Sequence, residues 1–410
     1  MSCQSGEPAN PDLKAVAPSP AAGGRLMSVD VYRGWVMLLM MAEVLQFGSV
    51  AESLPGNQFW RFLAYLQTHS EWVGCSLHDL IQPSFSFLVG VTLPFSLARR
   101  AAAGQPSAYR TLHAFWRALV LVLLGVFLRS VGHPQTDWTF EDTLTQIGLG
   151  YGFLYLLALR PGRAAWVALT VILLGYWLAF ACYPLPDAHF DWGQTGVAPN
   201  AVQSLTGFSA HWSMNANFAW AFDRWFLNLF PRAHPFTHNE GGYVTLSFIP
   251  TLGTMILGLL AGSLLRSPRA PWDKVKRLAL AGCLGLIAGL VLNALGICPL
   301  VKRIWTPSWV LFSGGWCLLL LAGFHALIDL LAWRRWAFPL VVIGTNSIAA
   351  YCLAHLLEGF IVESLTTHFG ESAFMFLGTA YAPLVQGSLV LLVLWGLLFW
   401  LYQRKIFLRI

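Results

Sequence analysis

The stretch THSEWVGCSLHDLIQPSFSFLVG, residues 68–90, sets His69, Glu71, His78 and Asp79 at the mouth of an apolar run. That run is as long as a membrane helix needs. Histidine titrates close to neutral pH, so His69 can take a proton from a nucleophile or carry an acyl group on its ring. Asp79 can orient that ring or hold a substrate; equally, it can cap the helix it opens. Taken alone, His69 reads as a solvated loop histidine. More polar side chains recur at the ends of apolar segments. Glu43 sits in the outer half of the first, Gln146 near the outer end of the fourth, and Glu240 ahead of the sixth. Lys302, Arg303 and Trp305 lie between the seventh and eighth. Asn346, Tyr351, His355 and Glu358 follow helical spacing in the ninth. Ionisable groups within membrane segments are costly and point to function. Plainer roles exist: Glu240 as a helix cap, Lys302 and Arg303 as snorkelling cations, Asn346 and Tyr351 as interhelical hydrogen-bonding groups.

The elements that must position these groups follow from composition. Of 410 residues, 56% are apolar and 11% charged, against about 25% charged in soluble domains. The chain therefore reads as an all-α polytopic membrane protein embedded in a lipid bilayer. Its net charge of +6 reports topology, and no nucleic-acid partner is expected. Ten spans are predicted, near 33–51, 78–98, 111–131, 142–159, 164–183, 243–265, 276–297, 308–331, 337–361 and 382–403. With both termini cytoplasmic, nineteen of the 25 Lys and Arg residues fall inside and six outside, as the positive-inside rule requires. Residues 1–24, rich in Pro, Ala, Gly and Ser, read as a disordered cytoplasmic tail, without the pattern of a cleaved signal peptide. Residues 25–410 form a single transmembrane domain. The loop 184–242 is too aromatic for a linker and is expected to fold over the outer mouth.

Seven scattered cysteines without a CxxC read as small apolar residues of the helices. His234 and His238 are four apart, but Pro235 between them disfavours a regular helix. No HExxH pattern occurs, and no metal centre is expected.

Several motifs together resemble the heparan-α-glucosaminide N-acetyltransferase-like membrane family. Ser28, Asp30, Arg33 and Gly34 match its S-x-D-x-x-R-G; His69, Trp72 and Gly74 match H-x-x-W-x-G. Asp79, Leu80, Pro83, Phe85, Phe87 and Gly90 match D-L-x-x-P-x-F-x-F-x-x-G. TLTQIGLGY (143–151), WTPSWVLFSGGW (305–316) and GTNSIAAYCLAH (344–355) resemble later family segments, so the likeness runs over about residues 25–405. It departs at AEVLQF, where Glu43 replaces an Asn-containing stretch, and at Ile147, where an Arg is common.

The resemblance implies a membrane acetyltransferase that takes acetyl from cytosolic acetyl-CoA and delivers it to an amino sugar on the other side. Its catalytic histidine is His69, with Asp79 orienting it or holding the acceptor. Glu43, Trp72, Gln146, Glu240, Trp305, Asn346, Tyr351 and His355 are expected to line the acceptor site, with Asn346 or Tyr351 able to stabilise an oxyanion. Asp30 and Arg33 are expected at the coenzyme. Short loops and an uncleaved N-terminus suit a bacterial inner membrane and an envelope glycan as acceptor. A homodimer follows from the resemblance alone. Two readings compete: a non-catalytic subunit of a larger membrane complex that keeps the fold, and a small-molecule transporter.

Overall fold

The computed structural model describes residues 26–187, 189–198 and 201–408; the tail over 1–24 lies outside them. The described residues are all-helical, and nine helices are long and apolar enough to cross a membrane. In chain order the α-helices are α1 (Met27–Met41), α2 (Phe47–Ser53), α3 (Gln58–Gln67), α4 (Ile81–Ala102), α5 (Ser107–Ser130), α6 (Thr143–Ala158) and α7 (Gly162–Ala181). There follow α8 (Phe218–Phe226), α9 (Phe248–Arg266), α10 (Pro271–Ala294), α11 (Pro307–Phe324), α12 (Phe338–Thr345), α13 (Ser347–Phe369) and α14 (Ala382–Gln403).

Two of the ten predicted spans differ. The fourth, expected over 142–159, is the 16-residue α6, which is about 24 Å long and shorter than the ~30 Å apolar core. It packs against α5 and α9. The ninth, expected over 337–361, is broken at Asn346 into α12 and α13. The break has a physical cause: α12 lies antiparallel against α1 in backbone contact. A Cβ on Gly344 would come 1.9 Å from the Asp30 carbonyl oxygen.

The central contact is α4 on α9. A Cβ on Gly90 would stand 1.9 Å from the Met255 carbonyl oxygen. In lipid such close packing drives helix association, because apolar burial gains nothing there. Overpacking costs about 1–3 kcal/mol where the neighbour can give way, and backbone cannot. Gly90→Val is therefore expected to lower the melting temperature in detergent; an unchanged melt would show that the crossing yields.

The described part of the loop after α7 is structured. Asn217 caps α8, its side chain accepting from Ala219 and Trp220 N–H. A second apolar core joins the loop to the bundle through Trp72, Tyr176, Phe180, Trp212, Val244 and Val301. Trp72 Nε1 donates to the Trp212 carbonyl at 3.0 Å.

Candidate active site

The turn before α4 builds the site. Ser76 and Asp79 form a reciprocal box: Asp79 N–H donates to Ser76 Oγ at 3.3 Å, and Ser76 N–H to Asp79 Oδ2 at 3.0 Å. This is the capping-box logic applied to the short 3-10 turn His78–Leu80. The same carboxylate thus caps this turn and, through its other oxygen, engages the His69 ring. Ser70 adds its N–H at 3.1 Å and its hydroxyl at 2.8 Å to the same oxygen. The other oxygen, Oδ1, takes His69 Nδ1 at 2.8 Å and Lys302 Nζ at 3.2 Å. Asp79 is fully buried, and these donors give both of its oxygens hydrogen-bond partners.

Lys302 arrives from 223 residues away. An isolated antiparallel bridge pairs Val73 with Val301, and Gly74 N–H donates to the Leu300 carbonyl at 2.9 Å. The hairpin-like segment 298–306 is itself rigid. Thr306 accepts from Val301 N–H and caps α11, with Pro307 in the first turn. Trp305 adopts a left-handed φ of 50° and anchors through Nε1 to Thr254 Oγ1 at 3.1 Å. Lys302 is 5% exposed. This corrects its reading as a snorkelling cation. Arg303 closes the turn, donating to the Gly241 and Ser70 carbonyls.

With Asp79 accepting from Nδ1, His69 presents Nε2 as its proton acceptor. Its side chain is 38% exposed. Burial lowers the His69 pKa most; the Asp79 hydrogen bond opposes this, and the Lys302 charge lowers it further. The ring is thus held neutral and ready to take a proton near pH 7. Burial also lowers the pKa of Lys302, against the pull of Asp79.

His69 and Lys302 open on a cavity of about 330 Å³ that also meets Glu43, His78, Tyr351 and His355. Tyr351 donates to Asp142 Oδ2 at 2.7 Å, and the His355 ring stacks on it at 4.3 Å. A second cavity, of about 370 Å³, is lined by Arg33, Arg99, Arg100 and Arg117, with Asp30 as its one carboxylate. Asp30 and Arg33 pair at 3.7 Å. Phe85 lines both cavities. Asp79 lies in the turn just before α4, and Arg99 lies 18 residues beyond Ile81, the first residue of that helix, about 27 Å by helix rise, so the two clusters sit toward opposite ends of one helix.

The structure brings His69, Asp79, Glu43, Tyr351 and His355 together, and Asp30 with Arg33 elsewhere. It does not bring the other expected acceptor residues to the cavity. Trp72 and Trp305 are buried anchors of the loop and the 298–306 turn. Gln146 is buried and donates to the Phe140 and Thr245 carbonyls. Glu240 is exposed in a turn. Asn346 donates to the Ile406 carbonyl and accepts from Leu408 N–H, clamping the end of the chain beside the arginine-lined cavity. Of the two departures, Glu43 faces the histidine cavity and Ile147 the arginine cavity. Lys302, Ser70, Ser76 and the Glu43–His78 pair were not assigned from sequence. Only the S-x-x-D spacing of Ser76 and Asp79 carried a readable local signal.

Among the described residues no group of three or more His, Cys, Asp or Glu is placed to hold a metal ion. The bundle thus carries a His69–Asp79–Lys302 cluster on one side and an arginine-lined cavity on the other. No family model matches the chain. Over 98% of its length it is 22% identical to human heparan-α-glucosaminide N-acetyltransferase (Homo sapiens), and over 83% it is 22% identical to the mouse protein of that name (Mus musculus). The chain spans less than two thirds of each relative, 62% and 55%.

Proposed function

We propose that the chain is a membrane acetyltransferase that moves acetyl from acetyl-CoA, bound from the arginine-lined face, to the amine of an amino sugar at the His69 face. The observation that carries this reading is the pair of cavities meeting at Phe85, one cationic and one holding a carboxylate-oriented histidine. Arg33, Arg99, Arg100 and Arg117 suit the phosphates of coenzyme A. The thioester arm runs along α4 past Phe85. The amine loses a proton to His69 Nε2 and attacks the acetyl carbon; the C–S bond then breaks and coenzyme A leaves as the thiol, taking that proton. The buried Lys302 ammonium supports Asp79 and favours the negative charge that develops on the acetyl oxygen. The basic face is then cytosolic, where acetyl-CoA is made, in keeping with the distribution of Lys and Arg. The likeness to two N-acetyltransferases supports the class of reaction.

The test is free-thiol release from acetyl-CoA by the purified protein, offered a panel of amino sugars. Acceptor-dependent release is expected, and His69→Ala should lower it by about 10²–10⁴-fold, the range of a general base. Release that survives His69→Ala would remove His69 from the chemistry.

Two opposed cavities parted by one buried aromatic also suit a transporter. That reading predicts uptake of a solute by proteoliposomes without any thiol release. A non-catalytic subunit would instead purify with other chains bound.

A further inference from the structure

The histidine cavity contains a second histidine–carboxylate pair. His78 Nε2 lies 2.6 Å from Glu43 Oε1. The His78 and His69 rings meet edge to face, with centroids 4.5 Å apart. The pairs come from different elements: His69 and Asp79 frame the turn before α4, whereas Glu43 sits on the 3-10 turn Ala42–Leu45 that follows α1. In each pair the carboxylate engages one ring nitrogen and leaves the other to accept a proton, Nε2 on His69 and Nδ1 on His78. His69, His78 and Glu43 all line the cavity, and the Glu43 side chain is 53% exposed.

Near neutral pH an alkylamine is held mostly as its ammonium ion. To become an amide it must shed two protons, one to free the lone pair and one as the C–N bond forms. One base accounts for only one of them. We propose that His78, held by Glu43, is the second proton acceptor of this site, and that it lets the protein take its acceptor amine in the ammonium form. The proposal rests on the acetyl-transfer reading above. The ammonium gives its first proton to His78 Nδ1, and Glu43 stabilises the imidazolium. The neutral nitrogen attacks the acetyl carbon and passes its second proton to His69 Nε2. The C–S bond breaks, and the thiolate takes up one of the two protons as coenzyme A leaves. The other proton passes to solvent. Ammonium and thioester thus become acetamide, thiol and one proton.

The surrounding charges fit an ammonium. His355 and Glu358 approach Glu43 from α13. Arg129 faces Glu141 at 3.7 Å on the α5 side of the cavity, beside Asp142. Asp79 and Lys302 lie behind His69. Glu43 is the ion-pair partner of His78 among the described residues.

The experiment is the pH profile of kcat/KM for acetyl transfer by the purified protein, with glucosamine and with an aminoalkyl glycoside whose amine is more basic. Wild type is expected to stay flat through the pH range just below the pKa of the amine. His78→Gln removes the second acceptor, Glu43→Gln removes the carboxylate that stabilises its imidazolium, and both variants must wait for free amine. Their kcat/KM should rise about tenfold per pH unit in that range and level off above it. The range should widen with the more basic acceptor. Glu43 is exposed, so Glu43→Gln remains informative if His78→Gln misfolds. Profiles of the same shape in wild type and both variants overturn the second acceptor while leaving acetyl transfer standing. No transfer by wild type to either amine overturns both.

Discussion

Asp79→Asn should lower kcat/KM for acetyl transfer by about 10³-fold or more, the scale seen when a carboxylate that sets a catalytic histidine's tautomer becomes an amide. The carboxylate accepts from His69 Nδ1 and Lys302 Nζ on one oxygen, and from the N–H and hydroxyl groups of Ser70 and Ser76 on the other. An amide offers one acceptor oxygen and one donor NH2. If the NH2 faces Oδ1's partners, it meets an ammonium and turns His69 to the wrong tautomer. If it faces the other side, it meets two backbone N–H groups and the turn loosens. Either way Lys302 is left buried without a counter-charge, a loss of about 3–5 kcal/mol when one partner of a buried pair is removed. The checks are thiol release and a thermal melt on the same preparation. A variant that melts lower but transfers acetyl normally would make Asp79 purely structural.

Lys302→Met is the second large effect, and its sign follows from His69. The Lys302 charge helps to hold the His69 pKa below its usual value. Removing it raises that pKa, and Asp79, freed from the ammonium, strengthens its hold on His69 and raises it further. A histidine that must be neutral to accept a proton then stays protonated to higher pH. The acidic limb of kcat/KM should therefore move toward higher pH, and activity at pH 6 should fall more than activity at pH 8. Met keeps the volume of the apolar stem, so packing changes little. A limb that stays put, or moves to lower pH, would separate Lys302 from His69.

Much of the frame was legible because the bilayer leaves few choices. Apolar runs of sufficient length must be helices, since backbone polar groups find no water there. The failures have local reasons. Span nine was expected to be continuous because no proline stands at its midpoint; the chain breaks at Asn346, directly after Gly344 seats α12 on α1. Trp72 and Trp305 carry polar tips in the right motifs, yet both are turned inward to hold a loop and a turn. Which way an indole points is a packing outcome.

The sequence by itself determined that this chain is a helical membrane protein, and its family resemblance pointed to His69 with Asp79 as a pair. Spacing along a chain decides period, span and side. Only the tertiary structure decided that Lys302 completes that pair, that Glu43 meets His78, that Ile147 lines the opposite cavity, and that Asn346 clamps Ile406 and Leu408 beside it. Those contacts join segments tens to hundreds of residues apart, and their pairing is set by helix packing and by the Val73–Val301 bridge, which no periodicity in the sequence encodes.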